Sequence, residues 1–191
     1  DEYDLTIPLL GDHQLDNAAV AVACLEVLAD SEAGITPVNI SDGMSQVNWP
    51  GRLEVLRHNP LFVLDCAHNA DSAMKLRESI GRYFEFDDLL LIVGTSKEKD
   101  LFGIVAELAA LPARIIVTRS DNPRAASNSV LVAEFSKWGV VPLVSETVAS
   151  AVELALSEAK PTDLVCATGS LFLVAEVSAY LTGVDREHYS T

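Results

Sequence analysis

Basic side chains are scarce in this chain. Against 28 aspartates and glutamates, its 191 residues carry 13 lysines and arginines, for a formal charge of -15 and a pI near 4.4. So acidic a chain repels a phosphate backbone, and its bases are scattered along the sequence. Nucleic-acid binding through a broad basic face is thereby excluded, and any phosphate ligand has to be held locally. Long apolar runs are also missing. None reaches the roughly 18 to 20 residues that span a bilayer, and the opening DEYDLTIP lacks the basic and apolar pattern of a signal segment. The cytoplasm is the expected compartment, with no membrane partner. Cysteine is limited to Cys24, Cys66 and Cys166, an odd and widely spaced set inside apolar runs. That usage predicts buried, reduced thiols rather than disulfides or a zinc site.

Signature loops are absent too. Neither G-x-x-x-x-G-K-S/T nor G-x-G-x-x-G occurs, so the common triphosphate and pyrophosphate cradles are not in this chain, and nothing in it would hold Mg²⁺ and a γ-phosphate. No Ser-His-Asp set, metal-ligand spacing, internal repeat or low-complexity tract is present. The first residue is Asp1 rather than Met, as expected of a piece of a longer polypeptide.

What is there is core. Hydrophobic residues make up 49% of the chain, enough for a globular body. Short apolar runs at 61–65, 89–94, 114–118, 141–144 and 164–168 have the character of buried parallel strands. Between them, apolar residues recur at helical spacing, and Asp100, Ser127 and Thr147 stand where N-caps belong. This alternation predicts an α/β fold with a mostly parallel, open, doubly wound sheet and helices on both faces. A further run, LEVL at 53–56, is joined to the first strand by RHNP, a link so short that only an antiparallel hairpin fits. Residues 1 to about 48 read as two helices, the first apolar nearly all round and therefore expected to be deeply packed. The second opens on Thr36-Pro37, a cap plus first-turn proline.

In such a sheet, ligands sit outside the carboxyl ends of the strands. The loops there hold Asp65, His68, Asn69, Ser96, Lys97, Lys99, Asp100, Asp121, Asn122, Arg124 and Ser170, whereas the loops at the other end hold no histidine and no arginine. Each residue has a plain alternative. Asp65 could accept from a ribose diol or cap a helix. His68 could meet an anion or face water. Ser170 could help form an anion pocket or serve as an ordinary N-cap. Arg52, after a rigid Pro-Gly turn, is suited to bidentate phosphate contact.

Five stretches, GDHQLDNAAVAVACLEVL, WPGRLEVL, FVLDCAHNADS, PRAAS and ATGSLFLVAEV, together resemble the C-terminal portion of folylpolyglutamate synthase, the bifunctional dihydrofolate synthase type included, within the Mur ligase superfamily. The resemblance implies that residues 1–48 close the central ATPase domain and that 49–191 form the Rossmann-like C-terminal, glutamate ligase domain. It implies an ATP-dependent ligase that adds L-glutamate to folate or dihydropteroate through an acyl phosphate, with Mg²⁺ held mainly by the N-terminal ATPase part outside this chain. By position, Gln14 and Asn17 would approach the adenine, Arg52 the phosphates and Asp65 the ribose. His68 would face the γ-phosphate and the incoming glutamate as the catalytic residue, and Ser170 would help bind that glutamate. Two departures stand out: the family usually has Gly at Cys66 and Pro at Ala70, which would reshape the loop if Cys66 needed a positive φ. The chain alone is expected to bind ATP weakly and turn nothing over. A Mur-type ligase for a peptidoglycan precursor and a non-catalytic nucleotide-binding module are the alternatives.

Overall fold

The computed structural model describes residues 2–31 and 34–184. Two helices come first, α1 (His13–Ser31) and α2 (Pro37–Ser45). Thr36 caps α2 through a reciprocal pairing with Asn39, and Pro37 stands in the first turn, where its missing N–H costs nothing. Ala18, Val22, Ile40 and Met44 form a small core between them. The expectation of deep packing does not hold for α1. Only Gln14, Ala18 and Val22 are buried on it, while Leu15, Val20, Val27 and Leu28 are exposed, Val27 at 70%. Cys24 is likewise exposed, against expectation, whereas Cys66 and Cys166 are buried and free.

The remainder is the α/β body. After the hairpin strands β1 (Glu54–His58) and β2 (Leu61–Leu64) the chain alternates through α3 (Ala70–Tyr83), β3 (Leu89–Val93), α4 (Leu101–Ala109), β4 (Ala113–Val117), α5 (Asn128–Ser136), β5 (Leu143–Val144), α6 (Val148–Glu158), β6 (Leu164–Thr168) and α7 (Leu171–Thr182). The sheet order is β1-β2-β6-β3-β4-β5. Only β1 runs antiparallel. Strand β5 is shorter than the apolar run around it, because Val141 lies outside the ladder, 89% exposed at the sheet's edge.

Alternation along the strands divides the core in two. Val63, Leu91, Val93, Val117 and Cys166 face α3, α4 and α5, while Phe62, Leu64, Ile92, Ile116 and Ala167 face α6 and α7. Both faces of the central strands are therefore covered, which is why β3 and β6 read as unbroken apolar runs. Cutting one fully buried side chain such as Leu91 to alanine costs about 2–5 kcal/mol. Asp100 and Thr147 cap α4 and α6 with side-chain hydrogen bonds, as their positions suggest; Ser127 precedes α5 without making one.

Candidate functional site

The crossover pattern places a crevice at the carboxyl ends of β2 and β6. These strands are neighbours, yet α3 leaves β2 over one face of the sheet and α7 leaves β6 over the other. Loops diverge there over strand ends that are themselves buried, Asp65 and Thr168 included. Main chains approach closely at this lip: a Cβ on Gly169, which has φ +111, would fall 2.5 Å from the Gly94 carbonyl oxygen, so only glycine fits.

Asp65 follows β2 and is buried, 7% exposed. Its Oδ2 accepts from the N–H of Leu53 at 3.1 Å and its Oδ1 from that of Ala67 at 2.9 Å. Burial pushes its carboxyl up to about 6, opposed by those two N–H groups and by the charges of Arg52 and His68. Arg52 itself makes no hydrogen bond or ion pair among the described residues. Its turn is sewn to the same loop, since the N–H of Cys66 donates to the Gly51 carbonyl at 2.8 Å. The Cys66 thiol is pushed up to about 11 by burial and the neighbouring Asp65, so it is a packing group rather than a nucleophile.

His68 is oriented by its own loop. Nδ1 lies 2.9 Å from the Cys66 carbonyl; a carbonyl only accepts, so Nδ1 is the donor and Nε2 is left free of the loop. Its backbone N–H donates to Ser72 Oγ at 2.9 Å. Cys66 is not at positive φ, so a β-carbon is tolerated there. Ala70 is the first residue of α3, the position where proline and alanine both fit. Neither residue strains the backbone of the loop.

Ser170 caps α7: its buried Oγ accepts from Leu173 N–H at 3.1 Å. Two residues further along, the Arg124 guanidinium lies over the Phe172 ring, 5.3 Å from the centroid. The loops after β3 and β4 are zipped together by Lys97 N–H to Arg124 O at 2.9 Å and Ala126 N–H to Thr95 O at 2.8 Å. Several rim residues prove to be occupied locally. Asn69 caps α3, Asp100 caps α4, and the Asn122 side chain closes its own turn on Arg124 N–H. The Lys97 ammonium donates to Pro123 O, Ser96 bridges to Ala125, and Lys99 N–H donates to Ser96 O. The Asp121 N–H is taken by Glu176.

On α1, Asn17 Nδ2 donates to Gln14 Oε1 at 3.0 Å, and Gln14 Nε2 lies 3.2 Å from His13 Nε2. The pKa of His13 is lowered by burial and then by the charges of Lys75 and Arg52. The charge of Arg52 thus acts both on His13 at the start of α1 and on Asp65 after β2. A cavity of about 730 Å³ lies elsewhere, between the loop after β4, the start of α6 and α7. Arg119, Asp121, Thr147 and Tyr180 line it.

The family model described as "Mur ligase, glutamate ligase domain" matches residues 51–171. The chain belongs to the Mur ligase family. It is similar to a probable bifunctional folylpolyglutamate synthase/dihydropteroate synthase of Halobacterium salinarum, 40% identical over 171 residues, covering 89% of this chain and 20% of that protein. Its fold is similar to that of the folylpolyglutamate synthase of Mycobacterium tuberculosis complexed with ADP and AMPPCP. There the TM-score is 0.84 at 28% identity over 96% of this chain and 43% of the other. A third likeness, with TM-score 0.79 and 29% identity, is to a bifunctional folylpolyglutamate synthase/dihydrofolate synthase with manganese, AMPPNP and L-glutamate bound; it covers 95% of this chain and 42% of that one. The chain thus spans a fifth to under half of the length of these relatives.

His13 and Phe172 stand beside candidate residues although neither was singled out from sequence. His13 stood only as part of GDHQLDN, and the ring under Arg124 belongs to a contact between residues 48 positions apart, which no local pattern shows. Among the described residues no cluster of three His, Cys, Asp or Glu side chains is arranged for a metal, and no helix is long and apolar enough to cross a membrane.

Proposed function

We propose that this chain is the amino-acid-binding part of an ATP-dependent ligase that adds L-glutamate to folate or dihydropteroate. Residues 1–48 would belong to the central ATPase domain and 49–191 to the C-terminal domain. The exposed apolar residues of α1, Leu15, Val20, Val27 and Leu28, support a larger body packed around it. Gln14 and Asn17 approach the adenine, Arg52 the phosphates and Asp65 the ribose, each of its oxygens keeping a lone pair beyond the N–H it accepts. His68 Nε2 meets the γ-phosphate and the incoming amine. Ser170, with Arg124 over Phe172 two residues on, receives the carboxylates of glutamate.

In the reaction so assigned, a substrate carboxylate oxygen attacks the γ-phosphorus and ADP leaves. The glutamate amine then attacks the acyl carbon, phosphate leaves, and the amine gives up its proton. Positioning and stabilisation of developing charge carry such chemistry. The divalent metal and the phosphate loop come from the ATPase part outside this chain.

The observation that carries the reading is the convergence of Arg52, Asp65, His68 and Ser170 at the carboxyl ends of two adjacent strands, in a domain matched over 51–171 to glutamate ligases. The test is ATP- and glutamate-dependent ADP release by the complete gene product on folate, dihydropteroate and UDP-linked peptidoglycan precursors. Folate-type substrates are expected to be used, Asp65→Ala to raise the KM for ATP and Ser170→Ala that for glutamate. Turnover of UDP-linked substrates alone, or unchanged KM values in both variants, overturns the assignment.

A further inference from the structure

The helical unit meets the sheet body at two separate places. At one, the connector ahead of β1 is held by the Gly51–Cys66 hydrogen bond beside the crevice. At the other, Leu10 packs against the core under α3, and Asp12, immediately ahead of α1, reaches the far end of α3. Its Oδ2 pairs with Arg82, and its Oδ1 accepts from the Tyr83 hydroxyl at 2.6 Å. The Arg82 guanidinium in turn sits over the Tyr83 ring at 5.6 Å. Gly11, at φ +108, makes the turn that delivers Asp12; a Cβ there would fall 2.5 Å from the His13 ring.

One attachment alone leaves a hinge, whereas two that are well separated define an orientation. Helix α3, with 14 residues, holds them about 20 Å apart. It is suited to act as a rod, because a reciprocal Asn69–Ser72 cap closes its start and Ala73, Leu76 and Ile80 anchor it to the sheet. One end of that rod follows the His68 loop, and the other carries Arg82 and Tyr83.

We propose that Asp12, Arg82 and Tyr83 form a latch that fixes the orientation of α1 on the sheet body and so sets the gap between Gln14 and Asn17 on one side and Arg52 and Asp65 on the other. Its consequence for nucleotide binding rests on the assignment of those four residues above. Arg82 and Asp12 are exposed and Tyr83 is half-buried, so together they bias the orientation by roughly tenfold and can be opened and reclosed. Arg82, Tyr83 and Asp12 are positioning residues: they hold the site's two sides in register and touch no substrate.

Residual dipolar couplings measured on the 191-residue chain test the latch without ATP or glutamate. In the unmodified chain, α1–α2 and the sheet body are expected to share one alignment tensor. In Asp12→Ala, the degree of order of the helices should fall at least twofold while the tensor of the sheet body stays put, and Asp12→Glu should restore part of it. Tyr83→Phe, which removes one hydroxyl, should give a smaller effect and serves if Asp12→Ala does not fold. Tensors that already differ in the unmodified chain, or that stay matched in the variants, overturn the latch. In the complete gene product Asp12→Ala should raise the KM for ATP severalfold with kcat nearly unchanged. Uncoupled tensors with an unchanged KM would refute the latch's role at the site, while the Asp65 and Ser170 variants judge the site assignment on their own.

Discussion

The N–H of Leu53 is pinned by the carboxylate of Asp65 at 3.1 Å, and Leu53 is the single non-glycine residue at positive φ, +46, among those described. A left-handed leucine is strained, and it is buried here, 3% exposed. The carboxylate that the ligand reading assigns to a ribose thus also holds the start of β1 in place.

A dependence of stability on pH follows. The Asp65 carboxyl is raised in the fold from 3.8 to about 6, chiefly by burial. Between those values the folded chain binds a proton at Asp65 that the unfolded chain has released, so the contribution of this group to stability is greatest below about pH 4, falls as the pH rises through 6 and is level above. The amplitude is on the order of 3 kcal/mol. Asp65→Asn removes this contribution. Urea midpoints of both proteins from pH 4 to 7 check it: their difference should shift across that window, and parallel curves contradict the cause.

Gly51 predicts a coupled pair. It has φ +74, and a β-carbon on it would lie 2.6 Å from Cys66 Sγ and 3.2 Å from Val174 Cγ1. Gly51→Ala is expected to cost about 2–4 kcal/mol, part from the left-handed backbone and part from the clash. Adding Cys66→Ala relieves the second part and leaves the first. Denaturation of the two single variants and the double variant measures this; strictly additive losses would show that the sulfur is not the obstacle.

The sheet and most helix starts were legible because their signals are local. Unbroken apolar runs mark strands buried on both sides, and Thr36, Asp100 and Thr147 cap through neighbours three residues on. The exposure of α1 was not legible, since a pattern of apolar residues records the wish for a partner and not whether that partner lies in the same chain. Polar loop residues misled for a related reason. Asn69 and Asn122 look like ligand groups in sequence, yet both close their own turns. Contacts between distant residues, such as Asp12 with Tyr83 or Arg124 with Phe172, leave no trace in spacing.

Under the proposed function, Arg124 is predicted to set the preference for an amino acid with two carboxylates. Its guanidinium is held over Phe172 at the start of α7, two residues after Ser170. A lost charge-assisted contact of about 1.5–3 kcal/mol lowers kcat/KM for glutamate by roughly 10- to 100-fold. Arg124→Ala should show this through the KM for glutamate, with that for ATP unchanged. Arg124→Lys should recover only part, because an ammonium lacks the planar fork and stacks poorly on the ring. Full recovery by lysine would reduce the role to charge alone, and an ATP effect equal to the glutamate effect would move Arg124 to the nucleotide.

Salt should stabilise this protein. Its first 48 residues carry nine acidic side chains and no lysine or arginine, so the bases that meet them come from the sheet body, as Arg82 does with Asp12. At low ionic strength the excess of 28 acids over 13 bases repels itself in the compact state. Raising the salt from 0.1 to 1 M shortens the screening length from about 10 Å to about 3 Å, which quenches repulsion between separated acids. The exposed ion pairs weaken as well, but each is worth only about 0–1 kcal/mol, and the unpaired acids outnumber them. Melting followed by circular dichroism in KCl should therefore show Tm rising with concentration. Replacing exposed acids of α1, as in Asp16→Asn with Asp30→Asn, should flatten that rise, since it removes repulsion at its densest point. A Tm that falls with salt would mean that the ion pairs, the Asp12 latch among them, outweigh the repulsion after all.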